Sequence, residues 1–188
     1  MGNFYTNFTL RGPSQQAVAE ALDGRSAIVT PAQDGCVVVY DEQSDEQDQE
    51  IISALAAQLS NDLRCAVLAV LNHDDDIFWY QLYLHGELAD EYDSSPEYFD
   101  ESAGPSEPAG GDAEKLCRAF GAKNVAAVES ILRKPESDQG GYVFAVERHA
   151  DLARALGLSS FGVGAGYRSV VDGSFPKGLD GDSLVIVT

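Results

Sequence analysis

Lysine is missing from the first 114 residues, and only three arginines, Arg11, Arg25 and Arg64, stand there against 23 acids, which leaves −20. Nucleic acids and anionic lipid surfaces are recognised through Lys and Arg. A segment this negative repels both, so neither nucleic acid nor membrane is expected as a partner. Cysteine is also scarce. Cys36, Cys65 and Cys117 are far apart and odd in number, and Cys36 and Cys65 lead into the apolar runs Val-Val-Val and Ala-Val-Leu. That excludes a disulfide framework and predicts reduced core thiols. No run approaches the roughly 20 apolar residues of a membrane-spanning helix. Met1–Leu10 has neither the basic nor the apolar region of a secretory signal. A cytoplasmic location is expected.

Signatures of chemistry are missing too. No serine sits in a Gly-x-Ser-x-Gly elbow, no histidine pair has i, i+4 spacing, and no cysteine pair has zinc spacing. Gly162-Val163-Gly164-Ala165-Gly166-Tyr167 has Tyr where a GxGxxG phosphate loop needs its last glycine. Its alternating glycines predict close packing against another backbone. No cofactor is expected.

What is present fits an ordinary globular chain of 188 residues, 44% hydrophobic and 23% charged. Asn3–Arg11 reads as a strand with Phe4, Thr6, Phe8 and Leu10 on one face. Ser14 opens a helix striped by Ala17, Val18, Ala21 and Leu22. Strands follow at Ser26–Thr30 and Cys36–Tyr40, joined through an Asp34-Gly35 turn. Ser44 to Gln47 fits a capping box before a helix whose apolar stripe is Ile51, Ile52, Leu55, Ala56, Leu59 and Leu63. Cys65–Leu71 is the next strand. The order strand, helix, strand, strand, helix, strand predicts a ferredoxin-like βαββαβ unit, α+β in class, with both helices on one face of the sheet. Ile77–Leu84 and Glu87–Tyr92, joined at His85-Gly86, extend that sheet as a hairpin. Ile77–Leu84 is apolar on both faces, which requires a second covering layer.

These signals divide the chain into an acidic α+β region (1–92), a flexible Pro/Gly/Ser loop (93–112) and a helical region packed on the sheet (113–188). Within the loop, 100–111 is expected to make few contacts. The last region is predicted to hold three helices, a strand over Phe161–Val171, a turn at Asp172-Gly173 and a final short strand at Leu184–Val187, forming a C-terminal hairpin.

Three clusters suggest function. Asp41 to Glu50 holds six carboxylates in ten residues. Asp45 and Asp48 suit a helix N-terminus, whereas Asp41 and Glu42 look like exposed docking charges. Glu87 to Glu101, with Glu91 and Asp93, interleaves acids with Tyr92, Tyr98 and Phe99; such aromatics more often pin a loop onto the core, and the alternative is a grip on cations through ion pairs and ring faces. His73 with Asp74 and Asp76 is a weak metal candidate, since consecutive residues in an extended chain point to opposite sides. Its bland reading is a polar turn. His149, on a helix among charged neighbours, reads as a surface residue. The leading expectation is a non-enzymatic inhibitor, immunity-type protein or adaptor that binds a basic protein through Asp41, Glu42, Asp45, Asp48, Glu91, Asp93 and Tyr98. The alternatives are a hydrolase using His73 with Asp74 or Asp76, and a small-ligand module.

Overall fold

The computed structural model describes residues 2–98, 107–137 and 139–188. Among them are six α-helices and one eight-stranded sheet in which every pairing is antiparallel. The strands are β1 (Tyr5–Arg11), β2 (Ala27–Val29), β3 (Cys36–Asp41), β4 (Ala66–His73), β5 (Ile77–Leu84), β6 (Glu87–Asp93), β7 (Ala109–Gly110) and β8 (Val185–Val187). Their order across the sheet is β7-β6-β5-β4-β1-β3-β2-β8.

Alternation along each strand sends residues to the two faces of the sheet, which carry two large cores and a smaller cluster where Ile28, Val38 and Tyr40 meet Phe161, Val170 and Leu179. Phe8, Leu10, Val37, Val39, Val67 and Ala69 face one layer, made by α1 (Gln15–Ala21) and α2 (Gln49–Leu63) through Val18, Ile52, Leu55 and Leu59. Tyr5, Leu68, Val70, Phe78, Tyr80 and Tyr92 face the other, made by α3 (Ala113–Phe120), α4 (Val125–Arg133) and α5 (Ala145–Leu156). The doubly apolar strand Ile77–Leu84 therefore is covered on both faces: Trp79 and Tyr83 lie in the first core, Phe78, Tyr80 and Leu82 in the second. Two-residue turns with left-handed backbone form where the sequence has Asp34-Gly35 and His85-Gly86.

Four expectations are corrected. The helix expected from Ser44 starts at Gln49, with the Asp48 carboxylate accepting from the N–H groups of Glu50 and Ile51. Ser44 cannot cap it, because its N–H and hydroxyl both donate to Asp41 Oδ2, at 2.9 and 2.7 Å. Instead Ser44–Glu46 forms a 3-10 turn ended by Gln47 in the left-handed region.

Phe161–Val171 is not a strand. A 3-10 turn (Ser160–Gly162) leads to α6 (Tyr167–Val171), and the carbonyls of Gly162 and Ala165 accept from Asn7 Nδ2 at 2.6 and 2.8 Å. One buried amide on β1 thus satisfies backbone that a ladder would otherwise need to satisfy. The glycines approach side chains rather than the backbone expected: a Cβ at Gly166 would lie 2.4 Å from Asp45 Oδ1. With that strand gone there is no C-terminal hairpin, and β8 pairs with β2 instead.

Gly110 and Gly111 are not loosely attached. Ala109–Gly110 pairs with Tyr92 and Asp93 of β6, and Gly111 N–H donates to the Glu91 carbonyl at 2.7 Å. The remainder of the expected flexible stretch, 100–106, lies outside the described residues. Finally, His149 is buried rather than on the surface. Its side of α5 faces the sheet, where its ring stacks on Phe78 and Tyr5 at 5.2 and 5.8 Å.

The three cysteines are free and buried. No helix among the described residues is long and apolar enough to cross a membrane.

Candidate functional site

The end of the sheet at the β4–β5 turn gathers most of the chemistry. His73 and Ile77 are the last paired residues of β4 and β5, so Asp74, Asp75 and Asp76 must reverse the chain between them. Asp74 and Asp75 do so with φ of 53° and 62°, a region that Asp tolerates better than most residues. The three carboxylates then diverge. Asp74 Oδ1 accepts from Gly2 N–H at 3.0 Å, Asp75 Oδ2 from Asn3 Nδ2 at 2.8 Å, and Asp76 Oδ2 from the Tyr98 hydroxyl at 2.8 Å. Among the described residues no three His, Cys, Asp or Glu side chains are grouped to hold a metal ion. His73 instead sets Nδ1 2.7 Å from Gln47 Oε1, and its ring meets Phe4 edge-on at 4.9 Å and Tyr98 at 6.3 Å. Phe4 and Tyr98 are both exposed.

Beside this turn runs a groove along the first turn of α2. One part, about 430 Å³, is walled by Glu46, Gln47, His73, Asp93 and Pro96 over a floor of Leu71 and Ile77. A second part, about 320 Å³, shares Gln49, Asp93 and Pro96 with it and adds Trp79, Glu91 and Gly110. Trp79 is the chain's one tryptophan. Asp93 is half-buried, and desolvation raises its pKa although Ser95 N–H donates to it. The Tyr98 phenol is held protonated to higher pH by its bond to Asp76 and by the carboxylates around it.

The acids singled out in the sequence separate into two groups. Glu91 and Asp93 line the groove, and Tyr98 meets the ring of His73, which lines it too. Glu42 is exposed, and Asp48 is exposed while capping α2. Asp41 and Asp45 are not docking charges. Asp41 is 1% exposed and paired with Arg25. Asp45 is buried, accepts from Thr6 N–H and Arg168 N–H at 3.2 and 2.9 Å, and has its pKa raised by desolvation. Both carboxylates satisfy backbone or guanidinium donors inside the fold, which is why acids occur there at all. Phe99, Asp100 and Glu101 lie outside the described residues.

Glu46, Gln47, Phe4 and Trp79 belong to the site and were not singled out in the sequence for function. Glu46 sits in the same acid run as Asp45, and only the 3-10 turn decides which of the two faces out. His149 has no part in the groove. Its Nδ1 lies 2.8 Å from the Tyr5 hydroxyl, and burial lowers its pKa to about 3, so it is neutral at neutral pH.

Comparison with family models, with curated proteins and with solved structures finds no match in any of the three.

Proposed function

We propose that this chain is a non-enzymatic binding protein that takes a Lys- or Arg-rich segment of a protein partner into the acidic groove beside α2. The observation that carries this reading is convergence. Glu46 from the first acid run, which pairs with the exposed Arg168, and Glu91 and Asp93 from the second, some 45 residues later, border one groove with Trp79 in its wall, and Phe4 and Tyr98 meet the ring of His73, which also lines it. Carboxylates with aromatic faces suit an ammonium or guanidinium group. The role is that of a cytoplasmic inhibitor, immunity-type protein or adaptor. The hydrolase alternative would have to use Asp74 or Asp76, whose carboxylates already accept from the Gly2 N–H and the Tyr98 hydroxyl. A small-ligand module has one supporting observation, since about 430 Å³ falls in the usual range of small-molecule sites.

The same reading extends to the fold. The β4-β1-β3-β2 order, with α1 and α2 in one core, supports a ferredoxin-like unit, extended here at both sheet edges.

The test follows Trp79 fluorescence during titration with an arginine-rich peptide and with a glutamate-rich one. A saturable response to the basic peptide alone is expected. It should weaken between about 0.01 and 0.1 M salt, as the Debye length falls from about 30 to about 10 Å. A double variant, Glu46→Gln with Asp93→Asn, should bind more weakly. Equal responses to both peptides, or a response indifferent to salt, would sink the proposal.

A further inference from the structure

The two edges of the sheet are built differently. At one, β7 is two residues long, and Gly110 and Gly111 have φ of 71° and 77°, outside the extended conformation that a further strand would pair with. At the other, β8 runs Val185-Ile186-Val187 in plain antiparallel register with β2, and no strand among the described residues lies beyond it. Natural proteins blunt such edges with charge, proline, a bulge or a covering element. β8 is short, at three residues, but none of these devices operates at it among the described residues. Residues 184–188, Leu-Val-Ile-Val-Thr, carry no charge and no proline in a chain of net charge −19, and the β2 pairing has no bulge. α1 packs on one face of β8, where Val185 and Val187 join the first core, and Gln15 Nε2 bonds the Ser183 carbonyl at 2.8 Å. That holds the strand in place without covering its edge. On the other face Ile186 is 71% exposed, and the half-exposed Phe175 packs against Gly181 just before the strand.

We infer that the outer edge of β8 is an interface with a second copy of this chain, β8 pairing with β8 antiparallel across a two-fold axis and joining two sheets into one. The segment is complementary to itself. Centred on Ile186, the pairing sets Ile186 opposite Ile186, Val185 opposite Val187 and Leu184 opposite Thr188. Because side chains alternate with a period of two, the α1-covered faces of both copies align. Charge selects this occupant over the basic partner proposed for the groove. A basic strand finds no acid within 184–188, whereas two uncharged segments bring no like charges into opposition. The contact is independent of the groove, which lies around β5 and β6 on the far side of β1 and β4.

The salt response separates the two interactions. Self-association joins two strongly negative bodies, so screening strengthens it, while salt weakens capture of a basic peptide. The experiment is sedimentation velocity on the full chain over about a hundredfold range of concentration, at low and moderate salt. A monomer–dimer equilibrium is expected that shifts toward dimer as salt rises. Ile186→Lys sets two ammonium groups face to face and should weaken dimerisation by at least about tenfold. Ile186→Val should preserve it. Ile186→Thr keeps the β-branch and removes apolar area, so it should lie between them and serves if the lysine variant fails to fold. Hydrogen exchange at the amides of Ile186 and Thr188, whose neighbours Val185 and Val187 are turned to β2, should slow as concentration rises. A monomer under every condition overturns the inference. So does a dimer unaffected by Ile186→Lys and Ile186→Thr, or protection that appears only elsewhere.

Discussion

Arg25 and Asp41 meet in a two-point ion pair, Nε to Oδ1 at 2.8 Å and Nη2 to Oδ2 at 2.9 Å, with the carboxylate buried and the guanidinium a quarter exposed. Asp41 Oδ2 also accepts from the Ser44 N–H and hydroxyl. This residue therefore fixes where β3 ends and how the 3-10 turn that presents Glu46 begins.

Asp41→Asn removes the charge while keeping the shape, and weakens four bonds to one group. Breaking a buried, charge-assisted cluster of this kind should cost about 2–4 kcal/mol. Asp48→Ala removes only a helix cap and should cost about 1 kcal/mol. Glu42→Gln, on an exposed side chain, should leave the urea midpoint where it is. Urea unfolding of the three variants checks the ranking, and an Asp41→Asn midpoint equal to that of Glu42→Gln would refute it.

His149 sets the response to acid. Burial holds its folded pKa near 3, below the ordinary 6.5, so between those values the unfolded chain binds a proton that the folded chain refuses. Stability is then lost as pH falls through 6.5 toward 3, with a slope approaching about 1.4 kcal/mol per pH unit. Asp45 and Asp93 act in the opposite sense. Their folded pKa values are raised, so they favour folding as pH falls toward their unfolded values. His149→Gln cannot take the proton and should unfold at lower pH relative to its own neutral-pH stability. Melting temperatures measured from pH 7 to pH 4 should fall less steeply for the variant than for the wild type.

Period-two and helical patterns made most elements legible, including β5 with apolar residues on both faces and α2 with Ile52, Leu55 and Leu59 inward. Two kinds of feature were not. The first is a polar side chain standing in for a ladder: nothing local marks Asn7 as the partner of Gly162 and Ala165, some 155 residues away. The second is the facing of neighbouring acids. Asp41, Asp45 and Glu46 are alike in composition, yet two turn inward to donors and one lines the groove. That choice rests on the left-handed Gln47 and on the Asp41–Ser44 bonds, which are tertiary facts. His149 was obscured in the same way, since its charged neighbours suggest a surface and its depth depends on which side of α5 meets β5.

The buried thiols should be inert in the folded protein. Burial pushes the Cys65 thiol up to about 11 and raises that of Cys117 as well, which removes the nucleophilic thiolate at neutral pH. Iodoacetamide should label Cys65 and Cys117 only on unfolding, as read by intact-mass analysis across a urea series. Stoichiometric labelling of either in native buffer would show an accessible thiolate.

Arg148 is the largest fully buried side chain among the described residues, and its position is costly. Its Nη1 donates to the Ile131 carbonyl at 2.8 Å and its guanidinium lies 4.6 Å from the Tyr142 ring centre, but Nε and Nη2 have no hydrogen-bond partner among the described residues. A buried cation with two unmet donors carries a desolvation penalty of several kcal/mol, against ring contacts worth about 2 kcal/mol, one hydrogen bond and the attraction of the Glu136 carboxylate. The side chain still fills space against Tyr92 and Tyr142. Volume and charge should therefore separate on mutation. Arg148→Met keeps most of the volume and removes the charge, so it should be neutral or stabilising by about 1–3 kcal/mol. Arg148→Ala removes both and should destabilise by about 2–4 kcal/mol through the cavity left between α5 and the tyrosines. Urea unfolding of the two variants beside the wild type decides the matter. If methionine costs as much as alanine, the guanidinium contributes more than its visible contacts, and the charge rather than the volume is what holds α5 to the sheet.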